Sequence, residues 1–266
     1  MKYELLATDL DGTLLTSEDY RITEENQEAL KYARSKGVKI VICTGRSIKS
    51  TKQFIEAVEG YEVTDYFVGF NGSVVTNLNG DTIFRKPIQK EVLMGLIDIG
   101  RNEDVDVHVY NDTEIKVERY NDRIKEYEIH SATTAVLVDD LKKEEFSLKL
   151  LYNCGDNERL IRMKKKIQEK YKDEVFVFFT MPDYLEVLSS HANKGLALEY
   201  LAKHLGIDAE KVIAIGDNEN DSYMIRYAGV GVCMKNGRES VQEIADYVTE
   251  KTNNESGVAE VIRKFV

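Results

Sequence analysis

Asp9 and Asp11 stand two residues apart, after the apolar run Leu5-Leu6-Ala7 and before Gly12. Residues i and i+2 of an extended chain point to the same side. A strand here aims two carboxylates at one spot, at the end where open α/β sheets hold their ligands. Alone, the pair reads equally as a solvated turn. A calcium loop fits poorly: the sixth and twelfth positions counted from Asp9 hold Leu14 and Tyr20, where glycine and glutamate are needed. The weight rests on partners downstream. Thr44 follows a wholly apolar run, Lys194 opens a helical stretch against the macrodipole, and Asp217, Asn220 and Asp221 follow another apolar run.

Parallel strands are needed to bring such groups together. Thr23 can cap a helix over 23–36 that Gly37 stops. A buried-type strand over 38–43 follows, and Ser47 can cap a helix reaching about Glu59. Strand, helix, strand at this spacing is a βαβ unit and implies a parallel pair. A third strand is expected over 66–70, with Asn71-Gly72 as a hairpin turn, Asn79-Gly80 as a second turn, and arms at 74–76 and 82–84. Between Pro87 and Pro182 the pattern changes. A helix over 89–102 precedes strands of period two at 105–110 and 114–117, a strand at 146–151, a charged helix over 157–171 and a strand at 175–180. Strands with that alternation bury one face. After Leu188 the parallel pattern returns: a helix from Lys194 to His204, then apolar strands at 212–216, 230–234 and 247–249. The fold expected is α/β, a Rossmann-like parallel-sheet core (1–84 and 188–266) carrying an inserted α+β domain (85–187).

The 266 residues suit two modest domains or one large one. Apolar content of 42% and charged content of 31% mark a globular chain. No stretch approaches the roughly 18 apolar residues of a membrane span. The start of the chain lacks a signal-peptide pattern, so a cytoplasmic location is expected. Cys43, Cys154 and Cys233 are scattered, which suits reduced thiols. A net charge of −11 repels nucleic acid and anionic lipid. No protein partner is evident. The basic run 162–166 reads as a solvated helix face.

The joint chemistry follows from charge. Asp9, Asp11, Asp217 and Asp221 would converge on one rim, where two unit charges 4 Å apart repel by about 4 kcal/mol at an effective dielectric of 20. Such a cluster needs a divalent cation or protonated acids, and all-oxygen ligands suit Mg²⁺. The metal and Lys194 would attract a phosphate dianion. Thr44 Oγ could bond one phosphoryl oxygen, and backbone N–H groups from Leu10 to Thr13 and at Gly45 could hold others. No Ser–His or Cys–His arrangement competes, because His108, His130, His191 and His204 are scattered.

Asp9-Leu10-Asp11-Gly12-Thr13, Thr44-Gly45-Arg46, Lys194-Gly195 and Gly216-Asp217-x-x-Asn220-Asp221 together resemble the four ordered motifs of the haloacid dehalogenase superfamily. Asn71-Gly72, residues 185–187, 231–236 and 257–259 match its Cof-type branch, which carries a large α/β cap between the second and third motifs. Lys235 and Gly237 depart from that branch's usual Gly and Ala. The resemblance implies a phosphatase of small phosphorylated metabolites, sugar phosphates or similar monoesters. It implies that Asp9 attacks phosphorus and that Asp11 moves protons. It also implies that Mg²⁺ sits on the Asp9 carboxylate, the Asp11 carbonyl and Asp217. Asp221 would orient Lys194 or metal-bound water, and Thr44, Lys194 and Asn220 would hold the phosphoryl group. Arg46 is a candidate substrate contact or an ion-pair partner of a surface acid. A phosphomutase would return the phosphoryl group to its substrate. A phospho-receiver, the rival from another class, is about half this length and has no inserted domain.

Overall fold

The apolar runs become neighbouring strands of one sheet. The computed structural model describes residues 2–56, 64–77, 79–111, 114–131 and 133–266. The chain forms two compact units, Met1–Phe84 with Asn193–Val266, and Arg85–Ala192.

The first unit begins with β1 (Leu5–Asp9), α1 (Glu24–Ser35), β2 (Lys39–Cys43), α2 (Ile48–Glu56), β3 (Tyr66–Gly69), β4 (Val74–Asn77) and β5 (Thr82–Arg85). The second comprises β6 (Ile88–Gln89), α3 (Lys90–Asn102), β7 (Asp106–Tyr110), β8 (Ile115–Val117), α4 (Asp122–Ser131), β9 (Ala135–Leu137), β10 (Phe146–Ser147), β11 (Lys149–Asn153), α5 (Asn157–Lys170), β12 (Val175–Met181) and β13 (Tyr184–Ser189). The first unit then resumes with α6 (Lys194–Leu205), β14 (Val212–Gly216), α7 (Ser222–Tyr227), β15 (Val230–Cys233), α8 (Glu239–Gln242), β16 (Tyr247–Val248) and α9 (Gly257–Phe265).

The eight strands of the first unit run in the order β16-β15-β14-β1-β2-β3-β4-β5. The pairings from β16 to β3 are parallel, and β3 to β4 is antiparallel. The chain leaves β1 toward β2 on one side and returns through β14 on the other, so β1 lies at the topological switch point. Asp9 pairs with Cys43, and Thr8 pairs with Ile215. The carboxyl ends of β1, β2 and β14 therefore share one rim, and Asp9, Thr44 and Asp217 stand there.

Apolar strands with side chains alternating between two faces need a layer on each. Leu6, Ile40, Ile42, Ile213 and Ile215 share one core with Leu30 of α1 and Val261 of α9. Leu5, Ala7, Val41, Cys43 and Ala214 share the other with Leu198 and Leu201 of α6. Cys43 is a packed core thiol. Thr23 caps α1 by accepting a hydrogen bond from Asn26 N at 3.3 Å. Ser47 Oγ accepts from Ser50 N at 3.0 Å at the start of α2. The expected extension of that helix to Glu59 lies outside the described residues.

The second unit holds a six-stranded sheet in the order β12-β13-β11-β7-β8-β9, antiparallel except for β8 with β9. Leu93, Leu96 and Ile97 of α3 and Leu160, Met163 and Ile167 of α5 pack on the face presented by Val107, Val109, Leu150 and Val187. Arg162, Lys165 and Lys166 are exposed on α5. Helix α4 and strand β9 were not expected from the sequence. The strand β13 runs on to Ser189, which pairs with Val175, so the second boundary falls after Ala192 and not after 187. The Asn71-Gly72 turn also differs. The expected hairpin forms, with β3 and β4 antiparallel, but Gly69 pairs with Val74, so a four-residue connection with left-handed backbone at Phe70, Asn71 and Gly72 stands in place of a two-residue turn. Among the described residues, no helix is long and apolar enough to cross a membrane.

Candidate active site

Strand β1 delivers Asp9 into the rim almost fully buried. The chain then turns at Gly12, whose φ of +80° favours glycine. A Cβ at that position would lie 2.6 Å from Asp217 Oδ2, so the turn and Asp217 approach as closely as a bare backbone permits. Thr13 Oγ1 donates to Asp217 Oδ1 at 2.9 Å. The Leu10 side chain is buried in the core, which leaves only its backbone to serve the site.

Asn193 caps α6 by accepting from Leu196 N at 2.8 Å, and Lys194 enters the rim completely buried. Its Nζ donates to Asp9 Oδ1 at 2.5 Å and to Asp221 Oδ1 at 2.6 Å. Burial opposes the ammonium charge, but Asp221 and Asp9 outweigh it and hold Lys194 well above the usual lysine range. The other Asp221 oxygen accepts from Asp217 N at 2.9 Å and Asn218 N at 3.0 Å. Asp221 is thereby committed to ordering the 217–221 loop and anchoring Lys194.

Asp9, Asp217 and Asp221 each offer an oxygen within 4.8 Å of the others. One ammonium cannot balance three carboxylates. Burial and the neighbouring Asp221 and Asp217 charges push the Asp9 carboxyl well up, against the pull of Lys194. Burial and Asp221 push Asp217 up to about 6, against the Thr13 hydroxyl and Lys194. The excess negative charge and an all-oxygen donor set fit a hard divalent cation. Asp221 has both oxygens engaged already, so Asp9 and Asp217 are the better-placed donors.

Beyond β2, Thr44 is buried and its Oγ1 accepts from Arg46 N at 3.1 Å. Arg46 forks onto Asp11, with Nε to Oδ2 at 2.7 Å and a terminal nitrogen to Oδ1 at 2.7 Å. Its guanidinium lies over the Phe54 ring, 4.6 Å from the centroid, and 5.9 Å from that of Tyr20. The Arg46 partner is thus the second acid of the opening motif. Asn220 Nδ2 donates to Asn71 Oδ1 at 2.9 Å. The structure therefore joins Asp9, Lys194, Asp221 and Asp217 directly, Asp11 to Arg46, and Asn220 to the 70–72 turn. The side-chain contacts of Thr13 and Asn71 were not expected: the sequence offered only the Thr13 backbone N–H and the Asn71-Gly72 match to the Cof-type branch. Thr13 carried a signal, a hydroxyl inside the acidic motif, whereas Asn71 read as a turn.

The chain is similar to known hydrolases along nearly its whole length. The model of the haloacid dehalogenase-like hydrolase family matches residues 6–262. The 5-amino-6-(5-phospho-D-ribitylamino)uracil phosphatase YcsE of Bacillus subtilis is 30% identical, covering 99% of this chain and 96% of its own. The HMP-PP phosphatase of Klebsiella pneumoniae is 28% identical, over 88% of this chain and 84% of its own. A haloacid dehalogenase-like hydrolase from Bacteroides thetaiotaomicron superposes with a TM-score of 0.88 at 29% identity, covering 100% of both chains. The chain belongs to the haloacid dehalogenase-like hydrolases, in their Cof-type branch, and is a phosphoric monoester hydrolase.

Proposed function

We propose that the protein is a Mg²⁺-dependent phosphatase of small phosphorylated metabolites that works through an aspartyl phosphate on Asp9. The observation that carries this reading is the Lys194 ammonium held between Asp9 and Asp221, with Asp217 beside them. An Asp9 oxygen forms a bond to phosphorus as the ester P–O bond breaks, and Asp11 gives its proton to the leaving oxygen. Asp11 then takes a proton from water. The water oxygen bonds to phosphorus, the Asp9–phosphorus bond breaks, and inorganic phosphate leaves. Asp11 must release the Arg46 fork first, because the fork uses both carboxylate oxygens. Thr44 Oγ1, Lys194, Asn220 and the backbone at Leu10 and Gly45 hold the phosphoryl oxygens. A Mg²⁺ on Asp9, the Asp11 carbonyl and Asp217 would offset the excess negative charge and polarise the phosphoryl group. Such placement and charge matching is the main lever of phosphoryl transfer.

The relative YcsE is by its name a phosphatase of a phosphoribitylamino compound, which favours sugar phosphates and similar monoesters here. We assign the choice of leaving group to the inserted unit, as the resemblance implies, and the place of work to the cytoplasm.

The test is phosphate release from a generic aryl phosphate. Activity is expected to vanish in a chelator, return with Mg²⁺, and fall to background in Asp9→Asn with the circular dichroism spectrum unchanged. Turnover indifferent to chelator would remove the metal from the reading, and turnover by Asp9→Asn would remove the nucleophile.

A further inference from the structure

We propose that Asn71 is a positioning residue for the phosphoryl-holding groups, acting through the Asn220 amide; the proposal rests on the reading of Thr44, Gly45 and Asn220 as those groups. Phe70, Asn71 and Gly72 have φ of +48°, +54° and +100° in succession. Left-handed backbone is uncommon for a residue with a side chain, and two such residues in a row persist only when their surroundings over-determine them. Phe70 and Asn71 are nearly fully buried, so solvent does not hold this turn open.

What over-determines it is the site. Phe70 N donates to Arg46 O at 3.1 Å, and Asn71 N donates to Thr44 O at 2.9 Å. Thr44 N in turn donates to Val68 O at 2.8 Å, so the end of β3 and the 44–46 loop are laced together from both sides. Asn71 Oδ1 lies 3.0 Å from where a Cβ on residue 45 would stand. A Cβ on Gly72 would fall 2.2 Å from the carbonyl of Asn193, so the turn abuts the cap that sets Lys194 at the head of α6. The Asn71 backbone thus touches Thr44, its amide flanks Gly45, and its oxygen holds Asn220.

That oxygen decides how Asn220 is turned. An amide nitrogen carries two donors and an amide oxygen carries none. By accepting one N–H, Asn71 selects the nitrogen face of the Asn220 amide and fixes the plane of the remaining N–H, the one free to serve a phosphoryl oxygen. A two-residue Asn-Gly hairpin would join β3 to β4 without any of these contacts.

The experiment measures product inhibition by inorganic phosphate, with KM and kcat on an aryl phosphate, for the full-length enzyme with Mg²⁺. Asn71→Ala places a Cβ residue of low left-handed tolerance at +54° and can fail to fold, so Asn71→Gly, which accepts that backbone, is the main variant. Asn71→Gly is expected to raise the phosphate inhibition constant and KM about tenfold, the scale of one hydrogen bond. In an Asn220→Ala background it is expected to change neither further. Additive effects of the two substitutions, or an unchanged inhibition constant in Asn71→Gly, would overturn the positioning role. An Asn220→Ala enzyme with unaltered phosphate inhibition would overturn the reading of Asn220 itself, and the proposal with it.

Discussion

Asp217 shows how the charge of this site constrains each residue. Its carboxyl is pushed up to about 6 by burial and by Asp221. The metal-free fold therefore keeps a proton on Asp217 at pH values where the unfolded chain, near 3.8, has already lost it. By linkage, the contribution of Asp217 to the stability of the metal-free fold is lost as pH rises from about 4 through 6. A metal ligand must be ionised, so cation affinity falls as pH drops below about 6. Asp217→Asn removes one like charge and keeps an acceptor for Thr13. It is expected to raise the melting temperature of the chelated protein at pH 7, by the equivalent of about 1–2 kcal/mol. It is also expected to lower Mg²⁺-supported activity by about a hundredfold or more. Calorimetry in chelator and an activity titration with Mg²⁺ check the two halves, and a lowered melting temperature would mean that Asp217 carries no unfavourable charge.

Elements deliver these residues, and their own stability is separable from the chemistry. Thr23 caps α1, and its hydroxyl also meets Ser256 Oγ at 2.8 Å, far from the acidic rim in the chain. Thr23→Ala is expected to cost about 1 kcal/mol in denaturant unfolding with kcat/KM unchanged. A loss of activity without a loss of stability would contradict that division. The elements that carry the chemistry were also the legible ones. The strands β1, β2 and β14 are apolar on both faces, and their motifs fall where parallel strands end. Helix α4 was illegible because, among its described side chains, only Ile124 and Tyr127 are buried, too few positions to print a helical period. Strand β9 leaves Val136 and Leu137 exposed, so no buried alternation marks it. The sequence signal at Asn71-Gly72 was a turn signal, but partners 27 and 149 residues away decide its shape. Such long-range capture of a local preference leaves no trace in spacing.

At the scale of the molecule, a net charge of −11 surrounds a rim that must accept a phosphate dianion. Under the proposed mechanism the phosphoryl group meets Lys194, Thr44, Asn220, backbone donors and a cation, while the acidic charge around them disfavours substrates that carry much further negative charge. Inorganic phosphate is expected to be released readily from sugar phosphates and aryl phosphates. Double-stranded DNA and phosphodiesters are expected to give none. A free-phosphate assay across such a panel checks this, and efficient release from polyanions would contradict the charge argument. The most direct test of the central claim is to quench the enzyme during turnover, reduce it with borohydride and sequence the tryptic peptides by mass. Homoserine is expected at position 9 only in samples quenched with substrate present, because borohydride reduces an acyl phosphate and spares a free carboxylate. Full turnover with an unmodified residue 9 in every quenched sample, or homoserine at another aspartate, would contradict it.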